Sequence, residues 1–349
     1  MVGTWRVSNE CIQVLKKHWD EEEFIPIEDD TSVNGNIDIL VFSSRCSENE
    51  RRQVHRMYSV RCDVTTYIFN EMAVNSIEDE TLGKNIVDLC VRECAWIDSL
   101  QIPVVKHCNL NCNRCYHFSN LVKNKELYEL NDYKKDITTI KRLGFSIGEI
   151  RFLGGEPLLN DNLVEYITFT NSLFPNTILK VVTNGLLITR LSPQKCKMLS
   201  RMKVVFSISL YAPMHNKFDS IEKFLVSNNL RYEIFRIGNR FDKILLKNSN
   251  LEKVSIVVEN CEKCVIVYKG QIGRCAPGMF ITDFNLYFDA CYPENNSLKL
   301  EEFNCTKDVL AYLDRAVPLC EWCTGDSHIE SYPWSKTQNI KKEDYIIEN

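Results

Sequence analysis

Five short apolar runs recur between Ile102 and about Gly238, separated by amphipathic stretches: Ile102-Pro-Val-Val105, Ile150-Arg-Phe-Leu153, Leu179-Lys-Val-Val-Thr183, Val204-Val-Phe-Ser-Ile208 and Tyr232-Glu-Ile-Phe235. Alternation of this kind implies parallel βαβ units. Helices then cover the sheet, and the loops at the carboxyl ends of the strands form the active site. The 349 residues exceed one ordinary domain of about 100–200 residues, and no internal repeat or low-complexity block marks a boundary. Changes of pattern predict an N-terminal α/β accessory unit over 1–100, a βα core over 101–252 and a cysteine-rich region with a tail over 253–349.

In the first segment the apolar run Ile37–Phe42, a polar helix-like stretch to about Tyr58 and the β-rich run Val64–Phe69 resemble a small βαβ unit. Its Ser43-Ser-Arg-Cys-Ser47 turn lacks G-x-G, so a docking or scaffold role is expected rather than phosphate binding. A helix is predicted from about Glu80 to Leu100, with Ile86, Leu89, Cys90, Cys94 and Ile97 on one stripe. On that stripe Cys90 and Cys94 read as small buried hydrophobes. The polar tail KKEDYIIEN reads as a mobile surface end.

The chain holds sixteen cysteines, and its start, MVGTWRVSNECIQ, shows neither the basic segment nor the apolar run of a secretory signal. A cytoplasmic location follows as the expectation, and thiols kept reduced there point to metal binding rather than a disulfide framework. A net charge of −5, from 47 acidic against 42 basic residues, provides no basic field for a nucleic acid or an anionic membrane. No stretch approaches a membrane span.

Directly after the first apolar run comes His107-Cys-Asn-Leu-Asn-Cys-Asn-Arg-Cys-Tyr-His-Phe118, a CxxxCxxC loop of Cys108, Cys112 and Cys115. Three soft thiolates can hold three irons of a 4Fe-4S cube, leaving the fourth open to a small molecule with an amino and a carboxylate group. Zinc is the alternative, since Cys112-x2-Cys115 is a common half-site, but zinc usually needs a second close pair and does not require Cys108. Phe152-Leu-Gly-Gly-Glu-Pro157 ends the second run, where two glycines allow close approach of a ligand and Glu156 can receive a donor. Thr183-Asn-Gly185 ends the third, and Ser207 and Ser209 share a face of the fourth.

Over roughly Ile102 to Gly238 the chain resembles the radical S-adenosylmethionine (SAM) enzymes, on the strength of CxxxCxxC followed by GGEP and TNG on successive strands. That resemblance implies a partial (β/α)6 TIM-type barrel. It implies a 4Fe-4S cluster on Cys108, Cys112 and Cys115 that binds SAM, and an electron donor such as flavodoxin or ferredoxin. Gly154, Gly155 and Glu156 then meet the methionine amino group, Thr183 and Asn184 join the cofactor site, Ser207 or Ser209 contacts the ribose, and Tyr116 or Phe118 lies near the adenine.

A second cysteine group comprises Cys261-Glu-Lys-Cys264, Cys275 and Pro318-Leu-Cys-Glu-Trp-Cys323. It could form a structural zinc knot. The C-x5-G-x4-C spacing from Cys264 to Cys275, closed by Cys320 and Cys323, looks instead like the SPASM or twitch auxiliary-cluster domains of the same superfamily. By that likeness Cys264, Cys275, Cys320 and Cys323 hold one auxiliary 4Fe-4S cluster, with Cys261 an alternative to Cys264. Cys291 and Cys305 complete the seven cysteines of this region and are candidate hydrogen-atom donors. CNLNCNRCYHFS, FLGGEPLL, VVTNGLL, SISLY and a late CEWC followed by YPW are together similar to radical enzymes of bacterial polysaccharide and sugar modification. The implied activity is reductive SAM cleavage to a 5′-deoxyadenosyl radical. This radical takes hydrogen from a sugar, nucleotide-sugar or aminoglycoside-like substrate, leading to dehydrogenation, dehydration or epimerisation. The alternatives are a maturase acting on a ribosomal peptide, with the N-terminal segment holding a leader, and a non-catalytic metal-binding protein.

Overall fold

The computed structural model describes residues 2–5, 24–27, 39–43, 65–69 and 90–92, and residues 96–349 except 176, 237–239, 262–263, 305, 326–329, 337 and 349. The chain separates into two compact units, Met1–Trp96 and Ile97–Asn349.

In the first unit, strands β1 (Val2–Trp5), β2 (Phe24–Ile27), β3 (Ile39–Ser43), β4 (Thr65–Phe69) and β5 (Cys90–Arg92) lie in the order β2-β1-β3-β4-β5. The first four run parallel and β5 runs antiparallel to β4. Strands β3 and β4 are the two apolar runs read from the sequence. The helix expected over residues 80–100 is corrected: Cys90–Arg92 pair with Tyr67–Phe69, and the chain is extended again from Trp96. A free strand edge offers backbone partners to Cys-Val-Arg, and such pairing outweighs a weak helical period, because isolated helices gain most of their stability from packing. Cys94 and the polar stretch before Tyr58 lie outside the described residues.

The second unit alternates strand and helix: β6 (Trp96–Val105), α1 (Leu130–Arg142), β7 (Ser146–Gly154), α2 (Leu163–Leu173), β8 (Ile178–Thr183), α3 (Pro193–Arg201), β9 (Val205–Ser209), α4 (Phe218–Ser227) and β10 (Arg231–Arg236). There follow β11 (Arg240–Asp242), β12 (Leu245–Leu246), α5 (Val254–Asn260), β13 (Val265–Tyr268), β14 (Gln271–Gly273), α6 (Ala276–Phe288), β15 (Ser297–Lys299), α7 (Thr306–Leu313), β16 (Ser331–Pro333) and β17 (Ile346–Ile347). The central sheet has the order β10-β9-β8-β7-β6-β13-β14-β15. Strands β7, β8, β9 and β10 pair in parallel with one another, β13 is parallel to β6, and β14 and β15 close the row antiparallel. This is the partial, TIM-type α/β arrangement expected; among the described residues the sheet stays open.

Local chemistry explains the elements. The strands bury neighbouring residues that point to opposite faces, Val104 with Val105, Phe152 with Leu153 and Ser207 with Ile208, as a sheet covered on both faces does. Helix α1 buries Tyr133, Ile137 and Ile140 at spacings of four and three, and carries Asp132 in its first turn and Lys141 and Arg142 in its last. Helix α3 opens with the Ser192 side chain accepting from Lys195 N and with proline just inside. The C-terminal tail, expected to be mobile, is packed: β17 pairs with β12, and Tyr345, Ile346 and Ile347 are buried. Burial of those three side chains holds a segment whose net polarity suggested solvent. Among the described residues no helix is long and apolar enough to cross a membrane.

Candidate active site

The cysteine loop starts where β6 ends, and the end of β7 fixes that start. Gly155 N donates to Val105 O (2.8 Å) and Glu156 N to His107 O (3.1 Å). A Cβ on Gly154 would collide with Val105 O, and one on Gly155 with His107 O; Gly154 also has φ +121°. The double glycine therefore serves a close approach of two backbone segments. That differs from the ligand approach expected of it, although both glycines also line the cavity described next.

Cys108, Cys112 and Cys115 lie on the wall of a cavity of about 370 Å³. Burial pushes the Cys108 thiol well above its ordinary range, with the neighbouring Glu156, Cys115 and Cys112 adding to the rise. Burial and then Cys115 push Cys112 up to about 12, against the lowering effect of Trp334. Leu110 N donates to Cys108 Sγ (3.4 Å), and Trp334 Nε1 donates to Cys112 Sγ (3.1 Å). Three thiols from one short loop on one cavity wall suit a cluster better than packing.

Glu156 is fully buried and does not face the cavity. Its carboxylate accepts from Thr183 Oγ1 (2.6 Å), Asn184 N (2.9 Å) and Leu158 N (3.1 Å). Burial raises its pKa to about 7 despite those donors. Glu156 thus ties the end of β7 to the end of β8. Asn184 passes the link on: its Nδ2 lies 2.7 Å from Asn109 Oδ1 and 3.8 Å from Cys108 Sγ. Neither Asn109 nor this relay was read from the sequence.

The second cysteine group meets the same cavity. Cys261, Cys264, Cys275, Cys320 and Cys323 all line it. Cys275 caps α6, its Sγ accepting from Gly278 N (3.3 Å), and the other backbone donors are Val317 N to Cys320 Sγ (3.4 Å) and Gly325 N to Cys323 Sγ (3.3 Å). Burial raises the Cys275 thiol strongly, with Cys323, Cys261 and Cys320 adding to the rise. Among the described residues no three His, Cys, Asp or Glu side chains gather as a single-ion site does. Arg274 is 1% exposed, its Nη1 donates to Arg315 O, and its Nε and Nη2 have no protein partner.

The remaining expected residues divide. Tyr116, Thr183, Asn184 and Ser209 line the cavity, and Tyr116 OH donates to Asp242 Oδ2 (2.8 Å). Phe118 does not: it is fully buried against Phe284 (5.4 Å) and Tyr345 (5.7 Å), a core residue rather than an adenine neighbour. Ser207 is also outside the wall, its hydroxyl donating to Glu233 Oε1 (2.9 Å). Cys291 is exposed and lines a separate cleft with Tyr292, Trp322 and Lys342 rather than this cavity. Cys305 lies outside the described residues.

The radical SAM superfamily pattern matches residues 102–231. Over these residues the chain carries a radical SAM domain. A probable GTP 3′,8-cyclase of Methanothermobacter marburgensis is 35% identical over 111 residues, 31% of this chain and 34% of that protein. The GTP 3′,8-cyclase of Clostridium acetobutylicum is 34% identical over 168 residues, 46% of this chain and 48% of that one. The chain thus spans less than half of either relative. Among solved structures, BtrN in complex with AdoMet and 2-DOIA shares 18% identity over 72% of this chain and all of that one, at a TM-score of 0.43. Native anSMEcpe with bound AdoMet shares 14% over 65% and 89% of the two chains, at 0.41.

Proposed function

We propose that this protein cleaves SAM reductively at Cys108, Cys112 and Cys115 and oxidises a small polar substrate, a sugar, nucleotide-sugar or aminoglycoside-like molecule, by abstracting a hydrogen atom. The observation that carries this reading is that both cysteine groups face one cavity of about 370 Å³, within the range of small-molecule sites. When bound, a cluster with SAM supplies a 5′-deoxyadenosyl radical, and a second, SPASM- or twitch-like cluster supplies an acceptor for one electron.

The chain's own residues supply placement. The Gly154-Gly155 turn, Glu156 and Asn184 hold the cysteine loop against the strand ends, and Leu110, Phe241 and Tyr211 form an apolar wall that excludes water. Arg274, whose Nε and Nη2 have no protein partner, lines the same cavity, where a buried cation favours an anionic occupant. Oxidation of an alcohol carbon to a carbonyl removes one hydrogen atom, one electron and one proton. Cys291 lines a separate cleft rather than this cavity, which supports oxidation over an epimerisation in which that thiol returns the hydrogen atom.

The test is Cys320→Ala with Cys323→Ala, assayed anaerobically by mass spectrometry of 5′-deoxyadenosine and product, with circular dichroism to check folding. The expected result is SAM cleavage without product. Product at the native rate from the folded double variant overturns the redox role of this group.

A further inference from the structure

The Tyr332-Pro333-Trp334 segment sits directly on the cysteine loop. Strand β16 pairs with β11, matching Phe241 with Tyr332 and Arg240 with Pro333. Beyond it the chain runs against the loop: Asn113 N donates to Ser335 O (2.9 Å), and Cys112 forms an antiparallel bridge with Lys336. Arg114, in a left-handed conformation between Cys112 and Cys115, lies 4.0 Å from the centre of the Tyr332 ring, with its Nη2 3.3 Å from Asp344 Oδ1. The Trp334 ring stacks on Tyr211 at 6.2 Å and 18°. Its indole N–H donates to Cys112 Sγ at 3.1 Å across 222 residues of chain.

An indole N–H is a donor only and carries its proton at every pH a protein tolerates. A thiolate bound to iron is a better acceptor than a thiol, so loading of the site strengthens this bond. Hydrogen bonds to its sulfurs and its exposure to solvent set the potential of an iron-sulfur cluster. Reduction adds negative charge that spreads onto the sulfurs, so a fixed donor stabilises the reduced form more.

We propose that Trp334 is a positioning residue for the cluster held by Cys108, Cys112 and Cys115, its N–H orienting Cys112 Sγ and raising the cluster's reduction potential. This rests on those three cysteines holding the cluster. The C-terminal strap thereby sets how readily the site accepts an electron.

Trp334→Phe keeps an aromatic ring for Tyr211 and removes the N–H together with the five-membered half of the indole. In reconstituted protein the cluster signal is recognised by its change on adding SAM and followed by EPR during a redox titration. The expected result is native iron content with the reduction equilibrium about tenfold less favourable, about 59 mV for one electron. Native protein labelled with ¹⁵N-indole tryptophan provides a second reading: ENDOR of the reduced cluster should show an exchangeable proton and a ¹⁵N coupling. An unchanged potential in an iron-loaded Phe variant overturns the proposal. Should that variant fail to load, absence of the ¹⁵N coupling in native protein overturns it equally. If native protein shows no SAM-responsive cluster, the underlying reading has failed instead.

Discussion

The two cysteine groups line one cavity yet are assembled differently. Cys108, Cys112 and Cys115 lie on one loop, whose start is set by the glycine turn of β7 and the Glu156 relay. The second group is gathered from the end of α5, the cap of α6 and the turn over Pro318–Trp322. A loop site is preorganised by neighbours close in the chain. A site gathered from distant elements depends on tertiary assembly, and its metal should contribute more to folding.

Iron content separates the groups most sharply. Anaerobically reconstituted native protein should hold about eight irons, and the Cys108→Ala, Cys112→Ala, Cys115→Ala variant about four, with its fold intact. Stoichiometric zinc with about four irons in native protein would mark the C-terminal group as a zinc knot and break the comparison.

Gly155→Ala probes the preorganisation of the loop. The added methyl meets the backbone carbonyl of His107, which cannot rotate aside as a side chain can. The expected cost is about 3 kcal/mol or more, read from denaturant unfolding, together with loss of iron at the loop site. Native stability in this variant contradicts the proposed close approach.

The smallest effect concerns Glu156, whose pKa the fold raises to about 7. A carboxyl raised in the folded state favours the protonated form, so its contribution is fully present below the unfolded value and is lost as pH rises through about 7. The whole displacement corresponds to at most about 3 kcal/mol. Glu156→Gln should flatten this slope between about pH 4.5 and 7; an unchanged slope means another group carries it.

Much of this was legible in the chain. The five core strands follow from apolar runs bounded by polar stretches, and the cysteine loop from its own spacing. Legibility failed wherever tertiary partners decide. Phe118 reads as a cofactor aromatic beside Cys115, but Phe284 and Tyr345 bury it. Glu156 reads as a ligand group, but its donors come from Thr183 and Asn184 on the next strand end. The helix expected near Cys90 is lost to the edge of β4, and the tail read as mobile is held by β12. Trp334 finds Cys112 only through the fold.

The central claim is that the loop cysteines hold the cluster that cleaves SAM. Anaerobic incubation of reconstituted protein with a strong reductant and SAM, without substrate, measures it through 5′-deoxyadenosine. Native protein should produce it, and Cys108→Ala, Cys112→Ala and Cys115→Ala should each abolish it, because the cube needs all three thiolates. Undiminished 5′-deoxyadenosine from the triple variant would contradict the account.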